Sequence, residues 1–169
     1  MIKKMQPRVI ITVGISGSGK STYAKNMVED RKYCPIHLQY IEVNRDDTRS
    51  KMYPTLHFGD CSAYYNLPDP ERFAMECMVS SRICENISDV LNNGQNVIIS
   101  DTNLNQKYLN RLKEFLKEHH GIENVEVVFF DVDVDVAIER DKKRERVVGE
   151  QIIRKQFEMY KKLRAEYEK

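Results

Sequence analysis

Four short apolar runs recur along the chain, separated by longer segments of mixed character. Residues 9–13 form the first run, residues 38–43 alternate apolar and polar positions, and residues 96–100 and 125–130 are again short and apolar. Runs of this length, rich in Val, Ile and Phe, are typical of β-strands. The pattern therefore predicts four strands.

The segments between these runs show the spacing of helices. Apolar residues recur every three or four positions, and Asn93-Gly94 and Gly121 provide stop signals. Residues 53–70 contain three prolines and a glycine, which predicts a loop or a broken helix. The predicted helices cover residues 21–30, 71–92, 106–119, 134 to about 146, and the stretch after Gly149.

Strands that alternate with helices of ten or more residues predict an α/β fold with a parallel sheet of four or five strands, flanked by helices. No internal repeat or low-complexity linker interrupts the pattern, so residues 1–169 are expected to form one domain. Ligands of such sheets bind at the carboxyl ends of the strands. The segments that follow residues 9–13, 38–43 and 96–100 should therefore meet at one site.

The amino-acid composition limits the binding partners and the cellular compartment that are expected. Lys and Arg number 27 against 26 Asp and Glu, so the net charge is only +1 and any polyanion site must be a local patch. The four cysteines form no C-x-x-C pair, which favours a reduced, cytoplasmic protein. The N-terminus has no apolar core of a signal peptide, and no run approaches the length of a membrane span.

The segment after residues 9–13 matches the phosphate-binding pattern G-x-x-x-x-G-K-[ST]. It reads Gly14-Ile15-Ser16-Gly17-Ser18-Gly19-Lys20-Ser21, followed by Thr22. Glycines let successive backbone N–H groups turn toward phosphate oxygens at a helix N-terminus. Lys20 is expected to meet the β and γ phosphates and to face solvent without nucleotide, while Ser21 would ligate Mg²⁺. The alternative is a plain Gly/Ser-rich turn.

Acidic residues follow the second and third predicted strands. Asp101 comes directly after residues 96–100 and either supports Mg²⁺ or caps the next helix. Asp46 and Asp47 occupy an expected strand-to-helix loop with Arg49. One of these carboxylates could act as a general base and Arg49 as an anion clamp. Alternatively, the two acids cap a helix and Arg49 completes an ion pair.

Two further clusters have alternative interpretations. The run from Arg140 to Arg146 holds five basic residues in seven, which suits either a solvated helix face or a lid over a triphosphate. Aromatic residues in the irregular segment could stack a base or cap the core. They are Tyr53, His57, Phe58, Tyr64 and Tyr65.

Taken together, these motifs resemble the kinase domain of phage-type 5′-polynucleotide kinases, members of the P-loop kinase family. The similarity nearly spans the chain and follows the order of that family. The matching pieces are residues 14–22, Asn44-Arg45-Asp46-Asp47-Thr48-Arg49, residues 98–105, Phe130-Asp131-Val132, and residues 140–144 with Met159-Tyr160.

The resemblance implies a role for each matching residue. Asp46 would activate the 5′-hydroxyl, Arg49 would engage the acceptor phosphate, and Asp101 would support the acceptor site. Asp47 is a further candidate for binding the substrate. Arg144 would be the lid arginine and Arg140 a second candidate near the nucleotide, within a lid of about residues 140–150. Gly149 stands where the family is expected to have a proline before the last helix.

The resemblance also implies an activity: transfer of the γ-phosphate of ATP, with Mg²⁺, to a 5′-hydroxyl of DNA or RNA. The phosphatase half of the family is missing, so only phosphorylation of ends is expected. The alternative is a phage kinase that acts on a hydroxymethylpyrimidine in DNA or on a small nucleoside. A nucleotide-dependent switch is a further alternative, although the chain lacks N-K-x-D and D-x-x-G segments.

Overall fold

The sheet is parallel and lies between helices, as predicted. The computed structural model describes residues 6–53 and 67–168. Within them the strands pair in the order β2-β3-β1-β4, with Ile11 opposite both Ile99 and Val127. The strands are β1 (Val9–Val13), β2 (Tyr40–Val43), β3 (Asn96–Ile99) and β4 (Val125–Phe129).

Six α-helices in these residues connect the strands, together with a short 3₁₀ turn at Ile36–Leu38. Gly94 and Gly121 have φ angles of 75° and 64°, so the predicted glycine stops are confirmed. The helices are α1 (Lys20–Arg31), α2 (Arg45–Met52), α3 (Asp69–Asn92), α4 (Gln106–His120), α5 (Val134–Lys142) and α6 (Glu150–Tyr167).

Three boundaries differ from the sequence prediction. Residues 44–49 were expected to form a loop, and this expectation is wrong. Helix α2 begins at Arg45, and the side chain of Asn44 caps its N-terminus. Helix α3 begins at Asp69, since Pro70 fits the first turn of a helix. Helix α5 ends at Lys142, earlier than residue 146, because the buried Asp141 accepts hydrogen bonds from the backbone of the following loop. Of the aromatic cluster, residues 57, 58, 64 and 65 lie outside the described residues.

The two faces of the sheet pack against different helices. Ile10 and Ile98 point to one face and meet Ala24 of α1. Ile11 and Ile99 point to the other face and join apolar residues of α3 to α6. Burial on both faces explains the continuous apolar strands that the sequence contains. Within the described residues, no helix is long and apolar enough to cross a membrane.

The parallel arrangement brings the carboxyl ends of all four strands to one edge of the sheet. Strand β1 leads into the glycine-rich loop, β2 into Asn44, and β3 into Asp101. The candidate residues from distant parts of the sequence are thereby gathered along this edge.

Candidate active site

The glycine-rich loop is held in a conformation that needs its glycines. Gly14 donates its N–H to the Thr102 carbonyl at 3.1 Å, which ties the loop to the segment after β3. Gly17 has a φ of 82°, and a Cβ atom there would lie 2.6 Å from the Ala137 carbonyl oxygen of α5. A side chain at Gly17 would therefore meet both backbone strain and a clash.

Lys20 is buried, which corrects the expectation that it faces solvent. It is 7% exposed, and its Nζ donates to the Ile15 carbonyl at 2.7 Å and to Ser18 Oγ at 3.3 Å. Burial and, to a smaller extent, the charge of Arg144 lower the pKa of Lys20 to about 8, while the charge of Asp101 opposes the change. The ammonium thus lies folded into the loop, where phosphate oxygens could replace its present acceptors.

Two side chains from other elements contact the backbone of this loop. Arg140 of α5 donates from Nη1 to the Gly17 carbonyl at 3.1 Å. Gln156 of α6 accepts the Ser16 N–H at 2.8 Å, a contact that the sequence did not predict. Ser21 and Thr22 are exposed in the first turn of α1, just beyond Gly19. The proposed donor-binding residues are therefore close to one another.

Helix α2 presents the Asp46 carboxylate beside a buried arginine. Arg49 is 8% exposed and donates from Nη1 to Asp46 Oδ1 at 2.8 Å. Its other edge binds Glu76 of α3 in two places, at 2.7 and 3.1 Å. Such a two-point contact fixes the plane of the guanidinium. Glu76 was not predicted as part of the site.

Asp47 faces a different partner from Asp46. Its backbone N–H donates to Asn44 Oδ1 at 2.8 Å, and its carboxylate accepts from Asn44 Nδ2 at 3.0 Å. Asn44 and Asp47 therefore cap the start of α2, as in the alternative interpretation in which the acids have a structural role. Of the two acids, Asp46 is the one that contacts Arg49.

Asp101 connects the end of β3 to the start of α2. Its Oδ1 accepts the Arg45 N–H at 2.8 Å. Its Oδ2 is buried without a hydrogen-bond partner among the described residues. Burial raises the pKa of Asp101 to about 6, although the Arg45 N–H and guanidinium oppose the shift. One carboxylate oxygen is thus committed to structure and the other is available.

The side chain of Arg45 contacts residues of α3 and α4. Its guanidinium donates to Ser80 Oγ at 3.0 Å and to the Glu76 carbonyl at 3.2 Å, and it lies 5.7 Å from the Tyr108 ring centroid. Glu76 therefore contacts both arginines of α2. The ion pairs join α2 to α3 along one side of the site.

The loop after α5 is held by Asp141 and approaches Asp46. Asp141 accepts the N–H groups of Val148 and Gly149, both at 2.9 Å. Arg144 Nη1 lies 3.9 Å from Asp141 Oδ1, and Arg146 Nη1 lies 3.9 Å from Asp46 Oδ2. The basic run is thus not merely a solvated helix face.

At the end of β4, Asp131 is joined to the last helix. Tyr160 donates its hydroxyl to Asp131 Oδ1 at 2.6 Å, and burial together with this carboxylate raises the pKa of Tyr160. Two pieces of the predicted resemblance, around Asp131 and Tyr160, therefore contact each other.

Comparison with known proteins agrees with this geometry. Residues 9–167 match a family described as AAA domain. The chain is 30% identical over 160 residues, 92% of its length, to a protein of Autographa californica nuclear polyhedrosis virus named as a candidate bifunctional polynucleotide kinase/RNA ligase. The predicted similarity to polynucleotide kinases is thereby confirmed. The chain spans 21% of that relative.

Solved structures share the fold. A chain in the structure of the Pnkp1/Rnl/Hen1 RNA repair complex matches 95% of this chain with a TM-score of 0.72 and 22% identity, over 46% of its own length. A gluconokinase from Sinorhizobium meliloti 1021 matches 90% with a TM-score of 0.55 and 21% identity, over 74% of its length. The predicted P-loop kinase fold is confirmed, and the chain belongs to the family described as AAA domain.

Proposed function

We propose that this chain transfers the γ-phosphoryl group of ATP to a 5′-hydroxyl at the end of DNA or RNA. The observation that carries the proposal is the position of Asp46, which is 62% exposed as a side chain and held by the buried Arg49. A carboxylate that is accessible and oriented by an arginine suits a general base for a hydroxyl. The similarity to a named polynucleotide kinase supports the same acceptor.

In the proposed reaction, the 5′-oxygen of the acceptor attacks the γ-phosphorus and the bond from that phosphorus to the β–γ bridging oxygen breaks. ADP leaves with the electron pair of this bond, and the hydroxyl proton passes to the Asp46 carboxylate. Phosphoryl transfer depends on positioning and on stabilisation of charge. Lys20, the loop N–H groups and Arg144 supply that charge, and Arg140 supports the loop from α5.

The residues present also fit Mg²⁺. This ion prefers one or two protein oxygens and otherwise keeps water and phosphate ligands. Ser21 offers an exposed hydroxyl, and Asp101 offers a buried Oδ2 without a hydrogen-bond partner in the described part of the chain. When bound, Mg²⁺ would neutralise phosphate charge. Asp101 would hold it through Oδ2 while Oδ1 keeps the start of α2 in place.

Arg49 supports a nucleotide acceptor over a simple alcohol. Its guanidinium already binds the Glu76 carboxylate at two points, and a phosphate presents a similar pair of oxygens. An acceptor phosphate next to the reactive nucleoside would take one of these contacts.

We propose a single domain over residues 1–169, with residues 140–150 as its lid. We also propose that it works in the cytoplasm of a bacterial or phage-infected cell, on nucleic acid ends under repair.

The test is transfer of labelled γ-phosphate to a panel of acceptors. The panel contains 5′-hydroxyl oligonucleotides of DNA and RNA, a nucleoside 3′-phosphate, a plain nucleoside, and hydroxymethyluracil DNA with blocked ends. We expect label on the 5′-hydroxyl ends and on the nucleoside 3′-phosphate. Label on the blocked hydroxymethyluracil DNA or the plain nucleoside alone would overturn the proposal in favour of those acceptors.

A further inference from the structure

The Asp46 carboxylate contacts two arginines that come from different parts of the chain. Arg49, on the same helix, binds Oδ1 at 2.8 Å. Arg146, from the loop after α5, lies 3.9 Å from Oδ2. Arg146 lies outside the matched run of residues 140–144, and nothing in the comparison with relatives assigns it a role.

The loop that carries Arg146 is held at its base by Asp141. This carboxylate is 1% exposed, and its Oδ2 accepts the N–H groups of Val148 and Gly149. The Arg144 N–H donates to the Asp141 backbone carbonyl at 3.0 Å, which closes the other end of the loop. Residues 143–149 therefore form a loop fixed at both ends, with Arg146 near its middle.

The second arginine of this loop, Arg144, acts on the donor side through its charge, which lowers the pKa of Lys20. Residues 144 and 146 are two positions apart, so one loop carries both this arginine and the arginine that lies beside the Asp46 carboxylate. Arg49 must give up contacts when an acceptor phosphate arrives, because both edges of its guanidinium are engaged by carboxylates.

We propose that Arg146 is a positioning residue for Asp46, and that Asp141 holds the loop so that Arg146 orients the carboxylate when Arg49 turns to the acceptor phosphate. The inference rests on the proposed function. A nearby guanidinium favours the ionised form of a carboxylate and fixes its orientation. The same loop carries Arg144 and Arg146, so its position links the residues proposed to bind ATP to those proposed to bind the acceptor.

The test is a double-mutant cycle on transfer to a 5′-hydroxyl oligonucleotide. Arg146→Gln should lower kcat about tenfold and leave KM for ATP within about twofold, since the donor residues remain. In an Asp46→Asn protein, the same Arg146 substitution should cost less than about twofold, because no base is left to orient. Arg144→Gln should keep its full cost in that background. Lys155→Gln, which removes one exposed charge from α6, is the control for net charge.

Asp141 is tested through its hydrogen bonds. Asp141→Ala removes the acceptor for two backbone N–H groups and should lower kcat at least as much as Arg146→Gln, because the loop also carries Arg144. Adding Arg146→Gln to Asp141→Ala should cause no further loss. Asp141→Asn keeps a carbonyl oxygen that can accept both N–H groups, and it should restore most of the activity. Circular dichroism and thermal unfolding of each variant establish that the fold persists.

The outcomes separate this inference from the proposed function. If the wild-type protein labels 5′-hydroxyl ends but the costs of Arg146→Gln and Asp46→Asn multiply in full, the inference is overturned and the proposed function stands. If the main effect of Arg146→Gln is a rise in KM for ATP, Arg146 belongs to the donor site and the inference is again overturned. A wild-type protein without transfer to any 5′-hydroxyl end would overturn both.

Discussion

Asp101 Oδ1 accepts the Arg45 backbone N–H at 2.8 Å, and this bond fixes the start of α2 against the end of β3. The helix that carries Asp46 and Arg49 is thereby positioned by a residue 56 positions away in sequence. The bond satisfies one of the N–H groups that a helix leaves without a partner in its first turn. The carboxyl group of Asp101 is also buried, and the effect of this burial on its pKa can be measured.

The first prediction concerns the pH dependence of stability. Burial raises the pKa of Asp101 to about 6, above its ordinary value of about 3.9 in an unfolded chain. Between these values the folded protein binds more protons than the unfolded chain, so the contribution of Asp101 to stability is present in full below about pH 4 and is lost as pH rises through 6. Asp101→Asn should remove this loss.

Thermal unfolding at pH 4 and pH 7 checks the prediction. The melting temperature of Asp101→Asn relative to wild type should be higher at pH 7 than at pH 4. Asp30→Asn, at an exposed position on α1, is the control and should show no such difference. A difference of the opposite sign would contradict burial as the dominant influence on this carboxyl.

The second prediction concerns Lys20. Its pKa of about 8 in the free protein should rise when a triphosphate surrounds it, because negative charge favours the ammonium. Nucleotide binding above pH 8 should therefore take up a proton, and affinity should fall as pH rises further. Calorimetry in buffers of different ionisation enthalpy measures the uptake, and Lys20→Arg should abolish it.

Lys20→Ala should also abolish transfer to every acceptor, because in the proposed reaction Lys20 supplies positive charge to the β and γ phosphates. Retention of even about a tenth of wild-type activity would be incompatible with the proposed role of the phosphate-binding loop. The Ile15 carbonyl and Ser18 hydroxyl lose their donor in this variant, so its melting temperature should be measured beside its activity.

The third prediction concerns the buried pairing of Arg49 with Glu76. Arg49→Ala removes two hydrogen bonds to Glu76, which has 28% side-chain exposure and keeps Arg45 as a partner, and should cost roughly 2 kcal/mol of stability. Arg82→Ala removes an exposed ion pair with Glu85 on the same helix as Glu76 and should cost less than about 1 kcal/mol. Urea denaturation measures both values.

Arg49→Ala should also discriminate between acceptors. Transfer to a nucleoside 3′-phosphate should fall more than transfer to a plain nucleoside, since only the former presents a phosphate to the guanidinium. Equal losses for the two acceptors would mean that Arg49 acts through Asp46 and the helix alone.

Much of the fold followed from the sequence because its signals are local. Apolar strands, the glycine stops at Gly94 and Gly121, and the spacing of Gly14 to Ser21 each lie within a few residues. Asp46 and Arg49 were proposed from their place after the second predicted strand and from the family resemblance, although the segment was expected to be a loop; in the structure they share one turn of α2. Their contact at 2.8 Å needs no information from the rest of the chain.

Glu76 and Gln156 could not be found in this way. Each is a polar residue on an amphipathic helix, and such a residue usually faces solvent. Their partners lie 27 and 140 positions away, and only the packing of α3 and α6 brings them together. Asp141 was hidden for the opposite reason, since an acid within a basic run suggests a surface ion pair and not a buried acceptor.

The fourth prediction compares the two acids of α2. A carboxylate that accepts the hydroxyl proton should contribute about 10²–10⁴-fold to turnover, so Asp46→Asn should lose about that factor while ATP affinity stays within a few-fold. Asp47 contacts Asn44, and Asp47→Asn should cost far less. Steady-state transfer and equilibrium ATP binding, measured on both variants, provide the test; a larger loss for Asp47→Asn would refute the assignment.

The fifth prediction separates two glycines of the phosphate-binding loop. Gly17 and Gly19 have φ angles of 82° and 103°, so alanine is strained at either position. Only at Gly17 would the new Cβ lie 2.6 Å from the Ala137 carbonyl oxygen, whereas at Gly19 nothing lies within 4 Å. Gly17→Ala should therefore weaken nucleotide binding and stability more than Gly19→Ala. Equal effects in titration and thermal unfolding would show that backbone strain alone matters.

The strand order β2-β3-β1-β4 also bears on how such a protein can diversify. The phosphate-binding loop follows the central strand β1, while Asp46 and Arg49 follow the edge strand β2. An edge strand and its helix can be replaced or lengthened with little disturbance to the pairing of β1 with its two neighbours. Proteins of this fold can therefore evolve to use a new alcohol substrate through changes in β2, α2 and the segment after α2. The residues proposed to bind the nucleotide, which follow β1, need not change.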